Sequence, residues 1–138
     1  MQNSTTIGFI GAGNMAYALI SGLINSGFNA QNIKLSDTDA ALLSLRADEF
    51  NLDVFTDNTE LTAQCDVVVF AVKPQVLSTV CKELQTHIYH KPLIISIAAG
   101  VRATDINRWL GGNTAIIRTM PNTPALLGKG ATGMTANE

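Results

Sequence analysis

The sequence predicts an α/β fold: an open, doubly wound, mostly parallel sheet. Three observations carry that expectation. Short apolar runs alternate with amphipathic helical patterns from one end of the chain to the other. The run Val67-Val68-Val69-Phe70-Ala71 is apolar without interruption, as strands covered on both faces are. The first run, Ile7-Gly8-Phe9-Ile10, meets its helix through Gly11-Ala12-Gly13, so that strand, glycine turn and helix follow in immediate succession.

Bulk composition agrees. The 138 residues suit one domain, and a chain of this length buries roughly two-thirds of its unfolded surface. With 46% hydrophobic and 14% charged residues, the composition is that of a packed globule and not of a disordered chain. The formal net charge is −2 without a basic cluster, which argues against nucleic acid as a partner. No apolar run approaches the length of a membrane span, and no charged-then-apolar signal segment opens the sequence. Cys65 and Cys81 form no C-x-x-C. Counting allows them one disulfide, but Cys81 falls on the apolar side of a helix, where a free thiol behaves as a small hydrophobe. A reduced, cytoplasmic protein is the expectation.

The elements follow in order. Ile7 to Ile10 reads as a buried strand. Residues 15–26 read as a helix, with Ala16, Leu19, Ile20 and Leu23 at sheet-facing spacing and Gly27 placed to end it. Ile33 to Ser36 is the second strand. Residues 39–50 form the second helix, with Leu42, Leu43, Ala47 and Phe50 inward. Val54-Phe55 is a short third strand, and Asp57-Asn58 can cap a brief helix running to Gln64. After the run Val67 to Ala71, Pro74 opens a helix at a position that needs no N–H partner; Leu77, Val80, Cys81, Leu84 and Ile88 mark its buried stripe. Leu93 to Ile97 is the fifth strand. Thr104 can cap a helix ending near Leu110, with Gly111 at its stop, and Ala115 to Arg118 is the sixth strand.

The string Gly11-x-Gly13-x-x-Ala16 matches the glycine pattern of a Rossmann-type dinucleotide site. Gly11 allows the tight turn, Gly13 lets a pyrophosphate approach the backbone, and Ala16 lets the helix pack close on its strand. The helix offers unpaired N–H groups and the positive end of its dipole to phosphate. Right-handed crossovers place the strand ends Gly11, Ser36, Ala71, Ala98 and Thr119 along one edge, and ligands of such sheets bind outside that edge.

The turns along that edge supply the candidates. Asp37 is placed to bond ribose hydroxyls or to serve only as a solvated turn residue, and it would repel a 2′-phosphate that Ser36 would welcome. Asp39 can cap the following helix. Lys73 either adds positive charge to an anion site or is an ordinary exposed lysine before a helix. Ala98-Ala99-Gly100 permits close approach of a flat ring or is simply a tight turn of small residues. Pro121-Asn122-Thr123-Pro124 forms a stiff loop with neutral hydrogen-bonding groups. His87 and His90 lack the further ligands a metal would need. There is no G-x-S-x-G elbow and no Cys/His pair with an orienting partner.

Together these residues resemble the pyrroline-5-carboxylate reductase family. The resemblance runs from Ile7-Gly8-Phe9-Ile10-Gly11-Ala12-Gly13-Asn14-Met15-Ala16 through Ala71-Val72-Lys73-Pro74 and Ser96-Ile97-Ala98-Ala99-Gly100-Val101. It closes with Arg118-Thr119-Met120-Pro121-Asn122-Thr123-Pro124-Ala125 and Gly130-Ala131-Thr132-Gly133, and so covers nearly the whole chain. The opening motif is shared with hydroxyacid dehydrogenases of similar architecture; the closing loop is more specific.

The resemblance implies reduction of the cyclic imine 1-pyrroline-5-carboxylate to L-proline, the last step of proline synthesis. NADP(H) or NAD(H) is the implied cofactor, with NADPH favoured. The family's cofactor contacts map onto Ile10, Gly11, Ala12, Gly13, Asn14, Met15, Ser36, Asn58, Ala71, Val72, Lys73, Pro74 and Ala99. Asp37 is a candidate as well, but it departs from the hydroxyl- or Arg-rich pattern of a 2′-phosphate site. Ala98, Ala99, Gly100, Met120, Pro121, Asn122 and Thr123 are the candidates for bordering the nicotinamide. A protonated imine is already electrophilic, so hydride transfer mainly needs positioning, and no catalytic acid–base pair is assigned. The implied partner is the small-molecule substrate, without nucleic acid, membrane or metal, and the full-length protein is expected to be a homo-oligomer.

Residues 1–125 are expected to form the dinucleotide-binding domain, and 126–138 the last strand or connection toward the family's helical dimerisation domain. The chain stops at Glu138, where that domain would begin, so it is expected to bind dinucleotide but turn over poorly or not at all. Two other readings stay open: a related dehydrogenase of a small hydroxy acid, and a dinucleotide-binding module without catalysis of its own.

Overall fold

The computed structural model describes residues 5–98, 100–119 and 134–136. Its centre is a seven-stranded sheet built from β1 (Ile7–Ile10), β2 (Ile33–Ser36), β3 (Asp53–Phe55), β4 (Val67–Phe70), β5 (Leu93–Ser96), β6 (Ile116–Thr119) and β7 (Met134–Ala136). The strand order is β3-β2-β1-β4-β5-β6-β7. The first six strands run parallel; β7 joins β6 antiparallel at the edge. Chain order reverses between β1 and β4, which makes that junction the switch point of the sheet.

Helices α1 (Asn14–Asn25), α2 (Ala40–Phe50), α3 (Asn58–Ala63), α4 (Pro74–Leu84) and α5 (Ala103–Trp109) connect the strands. Successive strand residues point to opposite faces, and the core divides accordingly. Phe9, Leu35, Val69 and Ile95 pack with Ala16, Leu19, Ile20 and Leu23 of α1 and Leu43 of α2. Ile10, Val68, Phe70 and Ile94 pack with Leu61 of α3, Leu77, Val80, Cys81 and Leu84 of α4, and Ile106 of α5. Both faces are covered, which explains the unbroken apolar runs.

The local chemistry sets the element ends. Past α1, Gly27 takes φ +102; its N–H bonds the Ile24 carbonyl, and the Phe28 N–H bonds the Leu23 carbonyl. This is the paired closure that a left-handed glycine permits. Asp39 stands outside α2 and caps it by accepting from the Leu42 N–H at 3.1 Å. Asp57 alone caps α3, and Asn58 is its first helical residue.

Three expectations are corrected. Thr104 lies inside α5 and not at its cap; Arg102 precedes the helix in extended backbone, and its carbonyl receives the Asp105 and Ile106 N–H groups. Of the residues expected inward on α2, Leu43 is fully buried while Leu42 and Phe50 pack half-buried against the core, and the buried position not expected is Arg46. The α4 stripe ends at Leu84, and Ile88 packs against the core from the turn beyond. A short 3-10 turn at Ala30–Asn32, capped by Asn29, was not anticipated.

Gly8 fixes how close α3 lies to β1. A Cβ there would sit 2.5 Å from Cys65 Sγ and 2.6 Å from Leu61 Cδ2, and both residues are fully buried. Gly8→Ala is therefore expected to destabilise the fold by about 1–3 kcal/mol through overpacking. Urea unfolding monitored by circular dichroism measures it, and an unchanged midpoint would contradict the packing described.

Candidate functional site

A cleft of about 600 Å³ opens at the carboxyl ends of β1, β2 and β4. Pairing of Ile10 with both Ser36 and Phe70 sets these strand ends level. The turn after β1 forms the floor. Gly11 takes φ +107, and a Cβ on it would lie 2.6 Å from the Ala71 carbonyl oxygen. The fold itself therefore demands glycine here. Its N–H also bonds the Ser36 carbonyl at 2.8 Å, tying the turn to β2.

Gly13 is different. It precedes α1 in extended backbone, at φ −74, and nothing lies within 4 Å of the place a Cβ would occupy. No neighbour in the protein requires it to be glycine. What the missing side chain leaves is bare backbone in the floor of the cleft, at the start of a helix whose first turn carries no acidic residue. The first N–H groups of α1 have no carbonyl one turn back to bond. A phosphate suits such a surface.

Ala12, between the two glycines, is fully buried and gripped from both sides. Its N–H donates to Asp37 Oδ2 at 2.8 Å. Its carbonyl accepts from Arg46 Nε at 3.1 Å. The other Asp37 oxygen accepts from the Asp39 N–H at 2.8 Å. Asp37 is thus more than a solvated turn residue; its carboxylate ties the glycine turn to the turn after β2.

Nine of the sequence-predicted residues line the cleft: Ile10, Gly11, Ala12, Gly13, Asp37, Asn58, Ala71, Val72 and Lys73. Ser36, Asn14, Met15 and Pro74 do not. Ser36 is fully buried, and its hydroxyl donates to Asn58 Oδ1 at 2.6 Å. It does not stand open to a phosphate, as the sequence reading supposed. Asn14, Met15 and Pro74 are the exposed first residues of α1 and α4. Lys73 precedes α4, exposed and without an ion pair among the described residues. Ala98 is buried and Gly100 takes φ +77 after β5; neither lines the cleft. Ala99, Met120, Pro121, Asn122 and Thr123 lie outside the described residues.

The cleft also recruits Thr38, Asp39, Leu42, Val76 and Val80, which sequence reasoning did not name as site residues. Arg46, also not named as a site residue, sits behind the glycine turn. Its signal was present: it falls three residues after Leu43 and four after Leu42, on the inward face of α2.

Other reactive groups are spent elsewhere. Cys65 and Cys81 are both free and buried, and burial pushes each thiol up to about 12, which leaves almost no thiolate at neutral pH. His90 Nε2 donates to the Cys65 carbonyl at 2.9 Å. Among the described residues no cluster of acidic, His or Cys side chains could hold a metal ion, and no helix is long and apolar enough to cross a membrane.

The model of the family described as NADP oxidoreductase, coenzyme F420-dependent, matches residues 6–100, which include all but the last strands of the sheet. The chain belongs to this family. It is 47% identical over 136 residues to the pyrroline-5-carboxylate reductase of Pseudomonas aeruginosa, covering 99% of this chain and 50% of that one. Among solved structures it resembles a pyrroline-5-carboxylate reductase from Coxiella burnetii, with 39% identity and a TM-score of 0.88 across 99% of this chain and 51% of the other. It also resembles the Plasmodium falciparum pyrroline carboxylate reductase with NADP bound, with 27% identity and a TM-score of 0.82 across 100% and 50%. The resemblance drawn from the motifs holds, and the chain aligns to the amino-terminal half of these reductases. It spans about half the length of the curated relatives it matches.

Asn58 reaches the cleft because Asp57 starts α3 just before it. The Thr59 hydroxyl and then the Thr59 N–H, both donating to Asp57, hold that carboxyl below the usual carboxylate range. A depressed folded value means that the cap stabilises the fold above the unfolded value and is lost as pH falls through the folded one. Asp57→Ala is therefore expected to lower the urea midpoint at pH 7, with the gap to the parent protein closing as pH drops below the ordinary aspartate pKa of about 3.9. A gap that stays constant to pH 2.5 would rule this linkage out.

Proposed function

We propose that this chain is the dinucleotide-binding part of a pyrroline-5-carboxylate reductase. Residues 1–125 form the cofactor domain, and 126–138 lead toward a helical domain. The observation that carries the cofactor reading is Gly13, bare backbone at a helix start in the floor of the switch-point cleft, with no steric need of its own to be glycine. The substrate is inferred from the relatives, which are pyrroline-5-carboxylate reductases.

In this reading Gly11 to Gly13 and the first turn of α1 receive the pyrophosphate, with Asn14 and Met15 at its rim and Lys73 adding positive charge. Asp37, Thr38, Asp39 and Asn58 take the adenosine ribose. Ser36 acts on it only through Asn58, whose amide oxygen it holds. Ala71, Val72 and Pro74 wall the middle of the cofactor, while Ala98 to Gly100 and Met120 to Thr123 border the nicotinamide. When bound, the reduced nicotinamide supplies the hydride that the imine carbon accepts. The chain's task is orientation, because the protonated C=N group is already electrophilic.

NADPH is favoured because the Plasmodium relative holds NADP and because both Asp37 oxygens already accept backbone N–H groups, which tempers their repulsion of a 2′-phosphate. The full-length protein is proposed to act in the cytoplasm as a homo-oligomer.

Parallel fluorescence titrations with NADPH and NADH test the reading, with Gly13→Ser as the diagnostic variant. Serine suits the position before a helix, so G13S is expected to melt no lower than the parent. Its side chain would occupy the phosphate path and weaken dinucleotide binding by roughly tenfold or more. Equal affinity in G13S and parent would sink the assignment of the cleft.

A further inference from the structure

Among the described residues Arg46 is the one buried charged side chain, 8% exposed. No carboxylate lies within ion-pair reach of it there. Burying an unpaired charge is costly, and an apolar residue on this face of α2 would serve the core at no such cost. The contacts of Arg46 give the reason for a guanidinium. Its plane lies over the Tyr17 ring, 4.5 Å from the centroid. The Tyr17 hydroxyl donates to Glu49 at 2.6 Å, one turn further along α2, and the Tyr17 N–H closes the first turn of α1 on the Gly13 carbonyl. Tyr17 and Arg46 thus lock the start of α1 to α2, and Arg46 Nε reaches past them to the Ala12 carbonyl.

That carbonyl and the Gly13 N–H belong to one planar trans peptide and point in opposite directions. Holding the oxygen against α2 therefore aims the Gly13 N–H away from α2. This N–H has no acceptor among the described residues. Asp37, on the other side, holds the Ala12 N–H and so fixes the preceding peptide.

We infer that Arg46 is a positioning residue for cofactor phosphate. From outside the cleft it sets the peptide that presents the Gly13 N–H, and it leaves a positive charge behind the phosphate site. The inference rests on the cleft being a dinucleotide site. Arg46 does not line the cleft and acts through Ala12.

Two variants separate its roles. In Arg46→Gln the amide nitrogen occupies the chain position of Nε, which keeps the donor and removes the charge. Arg46→Met keeps length and bulk but removes both. NADPH binding is followed by fluorescence, global stability by thermal melting, and the Gly13 amide by its nitrogen–proton NMR resonance. R46M is expected to bind NADPH roughly tenfold more weakly, and R46Q within about threefold of the parent. A displaced Gly13 amide resonance is expected in R46M and not in R46Q. Unchanged affinity in R46M, or equal losses in both variants, overturns the inference. If the parent protein binds no dinucleotide, the cleft assignment falls and this inference with it. If R46M does not fold, R46Q decides: a Gly13 amide resonance in the parent's position supports the role, and a displaced one overturns it.

Discussion

The fold turns on one close approach. Where the chain leaves β1, the position of a Gly11 Cβ is 2.6 Å from the carbonyl oxygen of Ala71, the residue leaving β4. Neighbouring parallel strands that end level leave no room there for a side chain, and the positive φ of Gly11 excludes most residues independently. The tight turn lets α1 begin within a few residues of the strand's end. The start of that helix consequently faces the gap between β1 and β4. Because connections depart to opposite sides of the sheet at this point, no connection among the described residues covers the gap, and a cleft is the result.

Holding that turn open in a fixed shape is a second requirement, met by charge. The two peptide groups of Ala12 are gripped by Asp37 from one side and Arg46 from the other, and Gly11 is bonded to the end of β2. Ser36 and Asn58 are likewise engaged with each other, and Asn58 reaches Glu83 of α4 at 3.4 Å. Most polar groups around the cleft are thus committed to shaping it. The Gly13 N–H, the first N–H groups of α1 and the Lys73 ammonium have no partner among the described residues. Free donors gathered at the glycine turn suit an anion there.

Most of this architecture was legible because each element carries its own local signal. The strands are apolar runs closed by turns, α4 begins at Pro74, and α1 ends at Gly27. The parallel sheet followed from alternation alone. What escaped depended on long-range contacts. Arg46 is tied to the site only once α2 is laid against the glycine turn. Ser36 reads as an open hydroxyl until α3 brings Asn58 onto it. Thr104 reads as a cap because its residue type suits one, while the backbone turns helical a residue earlier. Thr38, Asp39 and Leu42 enter the cleft only because α2 starts immediately beside it.

The two glycines of the opening motif have different reasons for being glycine, and the string alone does not separate them. Gly11 answers to the protein: backbone angle and carbonyl both forbid a side chain there, whether or not anything binds. Gly13 answers to neither. A serine or aspartate at its position would even offer the helix a cap that glycine lacks. A residue that forgoes available stability, with open space before it and unpaired donors beside it, is accounted for by something that must come close to its backbone. The force of the motif therefore lies in its second glycine, and the first would stand equally in a turn with no ligand at all.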